Sequence, residues 1–370
     1  MKEPIRILHI LQRMEAGGTQ ALLMNLYRNI DRTKVQFDFL VEYNEKQFYD
    51  DEIIKLGGKI YYTNVRNDFN IFKFQKRLKE VLLNNDYKIV HVHAYTIGYF
   101  CLKIAKKCGV PVRIAHSHSN SMVKNIKMVP KKILQGLFLI HSTDLFACSD
   151  EAGKYLFKNR EFHVLKNAID STDFVFNFKI RENIRKELNI GDELIVGHVG
   201  RFQPEKNHNF LLSVFLKIKK LKKEAKLLLI GSGPLEKEIK NKIEKYNLKD
   251  SIIMLSNRND MNRLYMAMDV FVFPSKYEGL GIVAIESQAA GIPTIISDGV
   301  PNETIISPIC KKLSLSTDKN TWAKEAIKMS ENKLAYGNMQ KYIIDAGYDM
   351  KNTSKWLQEY YLQKHNEKDE

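Results

Sequence analysis

Few cysteines and no long apolar run occur in this chain of 370 residues, and both absences narrow the class of protein. The four cysteines, Cys101, Cys108, Cys148 and Cys310, form no Cys-x-x-Cys pair, so we expect free thiols in a reducing cytoplasm. No stretch of 18 apolar residues is present, which argues against a membrane-spanning helix. The opening residues "MKEPIRILHIL" are typical of a first strand and not of a signal peptide.

Acidic residues are outnumbered by basic ones. The chain has 58 lysines and arginines against 43 aspartates and glutamates, which gives a formal net charge of +15. Such an excess favours anionic partners, namely nucleic acid, nucleotides or a phospholipid surface. Because most of the excess is lysine on predicted helices, a solvated lysine-rich surface is an equally good explanation.

Short β-rich runs alternate with helical patterns along the whole chain, which predicts an α/β protein. In the first half these runs lie at 5–11, 36–41, 59–63, 88–93, 112–117 and 144–149. The second half repeats the plan at 194–200, 226–231, 251–256, 269–274 and 293–297. The rhythm and the length indicate two domains, each with a doubly wound parallel sheet, joined near 168–192. Ligands usually bind such sheets beyond the carboxyl ends of their strands, here in a cleft between the domains.

The segment "EGLGIVAIE" places a carboxylate at each end of an apolar run, Glu278 and Glu286. Glu278 follows a predicted buried strand, whereas Leu280, Gly281 and Ile282 open a predicted helix whose free N–H groups attract anions such as phosphate. Glu286 comes about one turn later on an apolar face, where a carboxylate needs a hydrogen-bonding partner such as a ribose diol. An equally good alternative is that Glu286 caps a neighbouring loop and Glu278 offsets the helix dipole.

A basic loop, "GRFQPEKN", follows the first strand of the second half. Arg201 and Lys206 lie five residues apart across Pro204, so both side chains can point toward the loop that carries Glu278. Two cations facing a helix N-terminus make a diphosphate site that needs no magnesium. The chain also lacks an Asp-x-Asp pair, the usual metal-binding arrangement for nucleotide sugars. The alternative is that both cations are exposed charges with Glu205 as their partner.

Taken together, these motifs resemble the GT-B glycosyltransferases of family 4, which carry a glutamate–seven residues–glutamate motif. The similarity rests on "GRFQPEKN", "GSGPLE", "SNRND" and "EGLGIVAIE" in this order, with "GGTQALLMNL" and "ACSDEAGKYLF" earlier in the chain. It implies two Rossmann-like doubly wound domains that face a cleft, an acceptor-binding domain at 1–170 and a donor-binding domain at 171–349. A C-terminal helix at about 350–370 would pack back on the first domain. Within the family, the chain is most similar to bacterial capsule, exopolysaccharide and O-antigen enzymes.

The resemblance implies roles for residues at matching positions. Arg201 and Lys206 would neutralise the donor diphosphate and stabilise the leaving nucleotide. Glu278 would contact the hydroxyls of the donor sugar, and Glu286 would bind the ribose. Further donor-binding positions implied in this way are Gly17, Gly18, Asn257, Arg258, Leu280, Gly281 and Ile282. For the glycine pair, an ordinary turn between strand and helix remains an alternative to close backbone approach.

The acceptor side is represented by "RIAHSHSNS", in which His116, His118 and Ser119 follow a strand of the first domain. His118 matches a family histidine beside the reacting sugar, where an imidazole could donate or accept a hydrogen bond near neutral pH. Both histidines could instead serve only the loop. Zinc binding needs further ligands, and no other ligand is spaced to complete a site, so we predict no metal.

The family further implies transfer with retention of configuration and without an enzymic nucleophile, a metal or another cofactor. UDP-sugars are the commonest donors in this group, and a glycan or a polyprenyl-diphosphate-linked sugar is the expected acceptor. Two rival functions are a nucleotide-sugar epimerase of similar fold and a basic nucleic-acid-binding protein. The chain shows no nucleic-acid-binding motif, and its first loop lacks the Gly-x-Gly-x-x-Gly of NAD-dependent oxidoreductases.

Lysines and large apolar residues are mixed in the segment 124–140, "KNIKMVPKKILQGLFLI". This combination suits the surface of an anionic bilayer. We therefore expect peripheral attachment to the inner face of the cytoplasmic membrane. A helix with its apolar face in the domain core explains the pattern equally well.

Overall fold

The computed structural model describes residues 3–15, 18–94, 97–118, 139–256, 258, 260–332 and 336–367. The chain divides into two compact units. The first comprises Met1–Ile169 together with Asp349–Glu370, and the second comprises Asp170–Tyr348.

The first unit contains a seven-stranded parallel sheet with the order β3-β2-β1-β4-β5-β6-β7. Its strands are β1 Ile5–Leu11, β2 Val35–Val41, β3 Ile60–Tyr62, β4 Ile89–Val92, β5 Val112–Ser117, β6 Asp144–Ala147 and β7 His163–Val164. The order reverses between β1 and β4, where His9 is paired in register with His91.

The second unit contains a six-stranded parallel sheet with the order β10-β9-β8-β11-β12-β13. Its strands are β8 Ile195–Val199, β9 Lys226–Ile230, β10 Ile252–Leu255, β11 Val270–Phe273, β12 Thr294–Ser297 and β13 Cys310–Leu313. The order reverses between β8 and β11, as in a Rossmann-type sheet. The α/β architecture predicted from the alternating pattern is therefore confirmed.

Helices connect the strands. In the first unit they are Gly18–Asn29, Asp50–Lys55, Val65–Asp68, Ile71–Leu83, Gly98–Lys107, Asp150–Phe157 and Met350–Asn366. In the second unit they are Phe178–Glu187, His208–Leu221, Glu236–Lys245, Met261–Met266, Ile282–Ala289, Lys319–Ser330 and Gln340–Asp345, with 3₁₀ turns at Pro204–Lys206, Lys249–Ser251 and Asn302–Thr304. Among the described helices, none is both long enough and apolar enough to cross a bilayer.

Both sheets are covered on their two faces, as expected for parallel strands flanked by helices. Leu8 and Ile7, adjacent in β1, belong to separate buried clusters of the first unit. In the second unit, Val196 and Ile195, adjacent in β8, likewise belong to two separate buried clusters. Because successive side chains of a strand point to opposite faces, each cluster lies on one face of its sheet.

The strand predictions hold with two omissions. Every strand predicted from the sequence is present within two residues at either end. The two that were missed, β7 and β13, lie at the edges of their sheets. β7 is only two residues long, and β13 carries Lys311 and Lys312. Short length and lysines are common at sheet edges, where they oppose pairing with other chains, and they weaken the apolar pattern that reveals a strand.

The C-terminal helix begins earlier than the sequence suggests. Within the predicted span of about 350–370, the segment "NTSKWLQEYYLQKH" favours a helix start at Thr353 or Ser354, but the helix starts at Met350. The reason is Asp349, whose carboxylate accepts a hydrogen bond of 3.0 Å from the backbone N–H of Asn352 and so caps the helix. Tyr361 of this helix is fully buried within the first unit.

Candidate active site

The point at which strand order reverses in the second sheet is where a ligand is expected. β8 and β11 are neighbours there, and the chain leaves both strands at their carboxyl ends. Open α/β sheets bind ligands in the crevice outside such a reversal. The loop after β8 carries Arg201 and Lys206, and the loop after β11 carries Glu278. The fold therefore brings two separately predicted motifs to one edge of the sheet.

The loop after β8 is fastened to the end of β11. Its 3₁₀ turn, Pro204–Lys206, is followed by Asn207 in the left-handed conformation, with φ of 58°. Asparagine tolerates this conformation better than most residues. The Asn207 side chain donates a hydrogen bond of 3.1 Å to the carbonyl of Pro274. Arg201, at the start of the loop, is exposed.

The loop after β11 is held by two backbone hydrogen bonds. The N–H of Lys276 donates to the carbonyl of Glu205 at 2.7 Å, and the N–H of Glu278 donates to the carbonyl of Gly299 at 3.0 Å. Gly299 allows this close packing, because a Cβ atom there would lie 2.3 Å from the carbonyl oxygen of Lys276. These contacts fix the position of the Glu278 backbone.

Lys206 and Glu278 form an ion pair at this edge. Nζ of Lys206 lies 2.6 Å from Oε1 of Glu278. The side chains are only 18% and 10% exposed, so the pair is largely removed from water. Nζ also lies 5.2 Å from the centre of the Phe273 ring, which favours a cation. Lys206 is therefore paired with Glu278 and not with Glu205, the partner considered from the sequence.

Two buried histidines lie beside Lys206. Nδ1 of His198 lies 2.9 Å from the carbonyl oxygen of Val272, and the His198 and His208 rings are 5.0 Å apart. Burial, helped by the positive charge of Lys206, lowers the pKa of His208 to about 4. Burial likewise lowers the pKa of His198 to about 3. Both rings are neutral at pH 7, so the positive charge of the loop after β8 comes from Arg201 and Lys206.

The helix Ile282–Ala289 begins directly after this loop. Gly281 precedes it with φ of 82°, a left-handed conformation in which a side chain would be strained. The first N–H groups of a helix lack partners within the helix and favour a negative charge. The backbone of Leu280 is fixed beside this helix N-terminus, because its carbonyl accepts a hydrogen bond from the hydroxyl of Thr304. The predicted phosphate-binding backbone at Leu280, Gly281 and Ile282 thus lies at the N-terminus of this helix.

Glu286 lies one turn further along the helix and is half-buried. Its Oε2 accepts a hydrogen bond of 2.8 Å from the hydroxyl of Tyr265. Burial raises the pKa of Glu286 to about 7, against the lowering effect of the Tyr265 hydrogen bond. Oε1 takes no part in that bond. A diol bound beside Glu286 would therefore meet a carboxyl group whose charge changes near neutral pH.

Arg258 lies apart from the Lys206–Glu278 pair. Its guanidinium contacts Asp260 at 2.6 Å and Glu187 at 3.0 Å, and these carboxylates raise its pKa. It follows β10, two strands away from β8, which corresponds to about 10 Å across the sheet. That separation leaves room for a nucleoside between Arg258 and the Lys206–Glu278 pair. The Arg258 guanidinium, however, is already engaged in a surface network of ion pairs. Asn257 lies outside the described residues.

Other predicted positions belong to the first unit. Gly18 is the first residue of the helix after β1, and nothing lies within 4 Å of the place where its Cβ would be. Space for close approach is therefore present at Gly18, although no contact among the described residues requires a glycine there. Gly17, Ser119 and the part of the 124–140 segment up to residue 138 lie outside the described residues.

The histidines of the acceptor side occupy different environments. His118 directly follows β5 and is half-buried. His116 was expected beyond the strand, but it lies inside β5 and is only 1% exposed. Its ring faces the interior because side chains alternate along a strand. Its Nδ1 lies 3.0 Å from Nε2 of His91. A ligand on the surface cannot reach His116 as it stands.

Sequence reasoning missed several residues that position these groups. The Tyr265 hydroxyl orients the Glu286 carboxylate, and the lack of a side chain at Gly299 lets the loop that carries Glu278 pack against it. His91 and His93 contact His116 and His118. For the last pair a signal existed, since "HVH" at the end of β4 has the same spacing as "HSH" at the end of β5.

Solved structures share this architecture. The structure of Anabaena HepE in complex with UDP superimposes with a TM-score of 0.82 at 13% identity, covering 97% of this chain and 100% of that one. The same protein has also been solved with UDP-glucose, at a TM-score of 0.78. With its two Rossmann-like parallel sheets, the chain has the GT-B fold predicted for it.

Sequence comparison assigns the family. Residues 16–173 match the family model described as Glycosyltransferase Family 4, and residues 180–350 match that of Glycosyl transferases group 1. The putative glycosyltransferase EpsF of Bacillus subtilis is 36% identical over 86% of both chains. The protein is therefore a glycosyltransferase, and it belongs to group 1 of these enzymes, family 4.

More distant relatives have more specific names. The capsular polysaccharide biosynthesis glycosyltransferase CapH of Staphylococcus aureus is 25% identical over 97% of this chain and 99% of its own. An Escherichia coli enzyme named UDP-Gal:alpha-D-GlcNAc-diphosphoundecaprenol alpha-1,3-galactosyltransferase is 27% identical over 62% of each chain.

Proposed function

We propose that this glycosyltransferase moves a sugar from a nucleotide diphosphate donor, most favourably a UDP-sugar, to a glycan or a polyprenyl-diphosphate-linked sugar in bacterial surface polysaccharide synthesis. The observation that carries the proposal is the Lys206–Glu278 pair, which lies where strand order reverses and beside the N-terminus of the helix Ile282–Ala289. A cation, a carboxylate and a helix N-terminus suit a diphosphate joined to a hydroxyl-rich sugar.

Donor binding needs positive charge, which side chains and a helix N-terminus at this edge of the sheet would supply in place of a metal. Lys206 and the exposed Arg201 would neutralise the diphosphate together with the N–H groups that open the helix. Glu286 would accept hydrogen bonds from the ribose hydroxyls. UDP as the nucleoside diphosphate of the donor is supported by HepE, which was solved with UDP, and by the E. coli relative, whose name specifies UDP-Gal.

The reaction would retain the configuration of the anomeric carbon. The acceptor hydroxyl oxygen attacks that carbon on the face from which the nucleotide diphosphate departs, and its proton passes to the leaving phosphate oxygen. Lys206 and Arg201 stabilise the charge that grows on this phosphate, and Glu278 orients the sugar through its hydroxyls. No residue forms a covalent bond with the sugar.

The acceptor class is supported by the relatives. CapH is named for capsular polysaccharide biosynthesis, and the E. coli relative is named for a sugar on diphosphoundecaprenol. Within the first unit, His118 would contact the acceptor as a neutral imidazole, because burial lowers its pKa to about 3. It would therefore act through hydrogen bonds and not as a charged acid.

A lipid-linked acceptor would require the enzyme to work at the inner face of the cytoplasmic membrane. The lysines and apolar residues of 124–140, together with the net charge of +15, favour peripheral binding to anionic lipid. The full chain should co-sediment with vesicles containing phosphatidylglycerol at low salt and be released at high salt. If it stays in the supernatant at low salt, the attachment is wrong.

The function is tested first by thermal shift with UDP, GDP, ADP and NAD, each in the presence of EDTA. A ligand at a hundred times its dissociation constant adds about 2.7 kcal/mol of stability, which is readily measured. A shift with UDP that EDTA leaves unchanged is expected, followed by transfer from UDP-sugars to a lipid-linked acceptor. A UDP shift that EDTA abolishes would contradict the metal-independent mechanism, and no shift with any nucleotide would contradict the donor site.

A further inference from the structure

Five histidines cluster on one face of the first sheet. His9 lies in β1, His91 lies in β4 with His93 directly after it, and His116 lies in β5 with His118 directly after it. These strands are neighbours, and the spacing of two residues points each pair to the same face. Four of the rings are at most 7% exposed, and His118 is half-buried at the strand end. We call this group the imidazole cluster.

The rings of the imidazole cluster form two hydrogen-bonded lines. In one, Nε2 of His118 lies 2.8 Å from Nδ1 of His93, and Nε2 of His93 lies 3.0 Å from Nδ1 of His9. In the other, Nδ1 of His116 lies 3.0 Å from Nε2 of His91, and Nδ1 of His91 lies 2.7 Å from the hydroxyl of Tyr361. The His116 and His118 rings stack at 3.9 Å, which brings the two lines together.

Two buried nitrogens of the cluster lack partners. Nε2 of His9 and Nε2 of His116 are enclosed and have no hydrogen-bond partner among the described residues. A buried polar atom without a partner is costly and calls for an explanation. His93, His116 and His118 each offer one ring nitrogen, and these three nitrogens lie within 4.8 Å of one another. An ion bound through Nε2 of His116 would give that nitrogen a partner.

We propose that His93, His116 and His118 bind one divalent transition-metal ion of the zinc type. Nδ1 of His93 and Nε2 of His118 would give up their mutual hydrogen bond and bind the ion, each ring keeping its single proton on the other nitrogen. An acceptor contact by His118 would then be made through Nδ1. His116 would add its unpartnered Nε2. Zinc–imidazole bonds of about 2.0–2.1 Å place ligand nitrogens about 3.4 Å apart in a tetrahedral site. The rings must therefore rotate on ion binding. The 2.8 Å distance between Nδ1 of His93 and Nε2 of His118 must increase, and nitrogens that lie further apart, up to 4.8 Å, must approach one another.

The remaining ring nitrogens support this assignment. Histidines that bind metals almost always donate their other N–H to a second group, which fixes the ring and the tautomer. In the cluster, His93 can donate from Nε2 to His9, and His116 can donate from Nδ1 to His91. Tyr361 holds His91 in turn. His93 and His116 thus already have an outer partner.

The chemistry of the cluster selects the kind of ion. Burial lowers the pKa values of all five histidines, those of His9 and His118 to about 3, so the rings are neutral ligands at pH 7. Three imidazoles suit zinc, cobalt, nickel or copper, whereas magnesium and calcium prefer oxygen. The three proposed ligands belong to the first unit, whereas Lys206 and Arg201 belong to the second. The prediction of metal independence concerns donor binding by the second unit alone.

A second group is formed by one ring nitrogen each of His9, His91 and His93, which also lie within 4.8 Å of one another. All three of these residues are fully enclosed, whereas His118 reaches the end of its strand. Because His118 is partly exposed, we assign the site to His93, His116 and His118.

The test is metal binding by the full chain after removal of metals with EDTA. Equilibrium dialysis against Co²⁺ and Zn²⁺ should show one tightly bound ion, and the visible spectrum of bound Co²⁺ should indicate nitrogen ligands without a thiolate charge-transfer band. His93→Asn and His116→Asn should weaken binding by more than the roughly 10–100-fold typical of an outer-shell change. His91→Asn should weaken it within that range. The exposed His163 provides a matched control, and His163→Asn should bind as the unaltered chain does.

Two results would overturn the proposal. The first is an unaltered chain that takes up less than one equivalent of Co²⁺ under these conditions. The second is a folded His116→Asn chain, checked by circular dichroism, that binds with unchanged affinity. If the variants do not fold, X-ray absorption of the zinc-loaded unaltered chain decides: three imidazoles around zinc support the site, and sulfur or fewer than two imidazoles contradict it.

Discussion

Lys206 and Glu278 are 72 positions apart in the sequence, yet Nζ of the lysine lies 2.6 Å from Oε1 of the glutamate. Because both side chains are largely buried, each neutralises a charge that would otherwise be costly. A bound donor would offer each a new partner, the diphosphate for Lys206 and the sugar hydroxyls for Glu278. Donor binding and the breaking of this ion pair are therefore expected to be coupled.

Glu278→Gln tests this coupling. We expect transfer to fall by about 10²–10³-fold, the cost of losing one preorganised group at a reacting centre. UDP should bind at least as tightly as before, because Lys206 no longer has a competing carboxylate. Initial rates and calorimetry with UDP measure the two effects. Glu205→Gln, in the neighbouring loop, should change neither, and normal transfer by the Glu278→Gln chain would refute the assigned role.

Lys206→Met should destabilise the protein, whereas Arg201→Ala should not. The first change leaves the Glu278 carboxylate largely buried without its cation, and we expect the free energy of unfolding to fall by about 3 kcal/mol. Arg201 is exposed, so its loss should change stability by less than about 0.5 kcal/mol. Urea unfolding at pH 7 gives both values. Equal losses would mean that the ion pair does not stabilise this edge of the sheet.

Arg201→Ala should act on turnover. If Arg201 stabilises the leaving diphosphate, its loss lowers kcat by about tenfold or more and leaves the KM for the acceptor nearly unchanged. Steady-state kinetics with the acceptor varied at saturating donor separates the two constants. The exposed Lys220 on a helix of the same unit offers a control, and Lys220→Ala should behave as the unaltered enzyme. A proportional change of kcat and acceptor KM would remove the assigned role.

Glu286 should make stability depend on pH. Its pKa is about 7 in the folded protein against an ordinary 4.5, so between these values the folded chain holds a proton that the unfolded chain has lost. The stability that this proton confers is fully present below pH 4.5 and is lost as the pH rises to about 7. Glu286→Gln should therefore exceed the unaltered chain in stability at pH 8 by about 1–3 kcal/mol, but not at pH 4.5. Urea unfolding across this range measures the difference, and a gap that does not vary with pH would contradict the pKa shift.

Much of the architecture follows from local pattern. Apolar runs of four to seven residues between helical segments indicate β8 and β11, and the carboxyl ends of parallel strands lie at one edge of a sheet. The sequence therefore predicts that the loops of Lys206 and Glu278 meet. The left-handed turn before Ile282 is likewise indicated by Gly281, since glycine adopts it at least cost.

Contacts between distant segments could not be predicted in the same way. Tyr265 reaches Glu286 across two helices, and His93 reaches His118 across two strands. Such pairings depend on register and side-chain direction, which the local pattern of apolar residues does not specify. The same limit explains why the sequence indicated only two of the histidines in the imidazole cluster. Burial of His116 depends on which face of β5 meets the C-terminal helix.

Gly299→Ala should disturb the Glu278 loop, and a second glycine provides its control. A Cβ at position 299 would lie 2.3 Å from the carbonyl oxygen of Lys276, so the loop must shift. We expect a loss of stability of about 1–3 kcal/mol, the usual cost of overpacking, and a lower transfer rate because Glu278 moves with the loop. Gly279 is in the same loop, but nothing lies within 4 Å of its Cβ position, so Gly279→Ala should leave the fold unchanged. Urea unfolding and transfer assays compare the pair, and similar behaviour of the two variants would show that contact with Gly299 does not position Glu278.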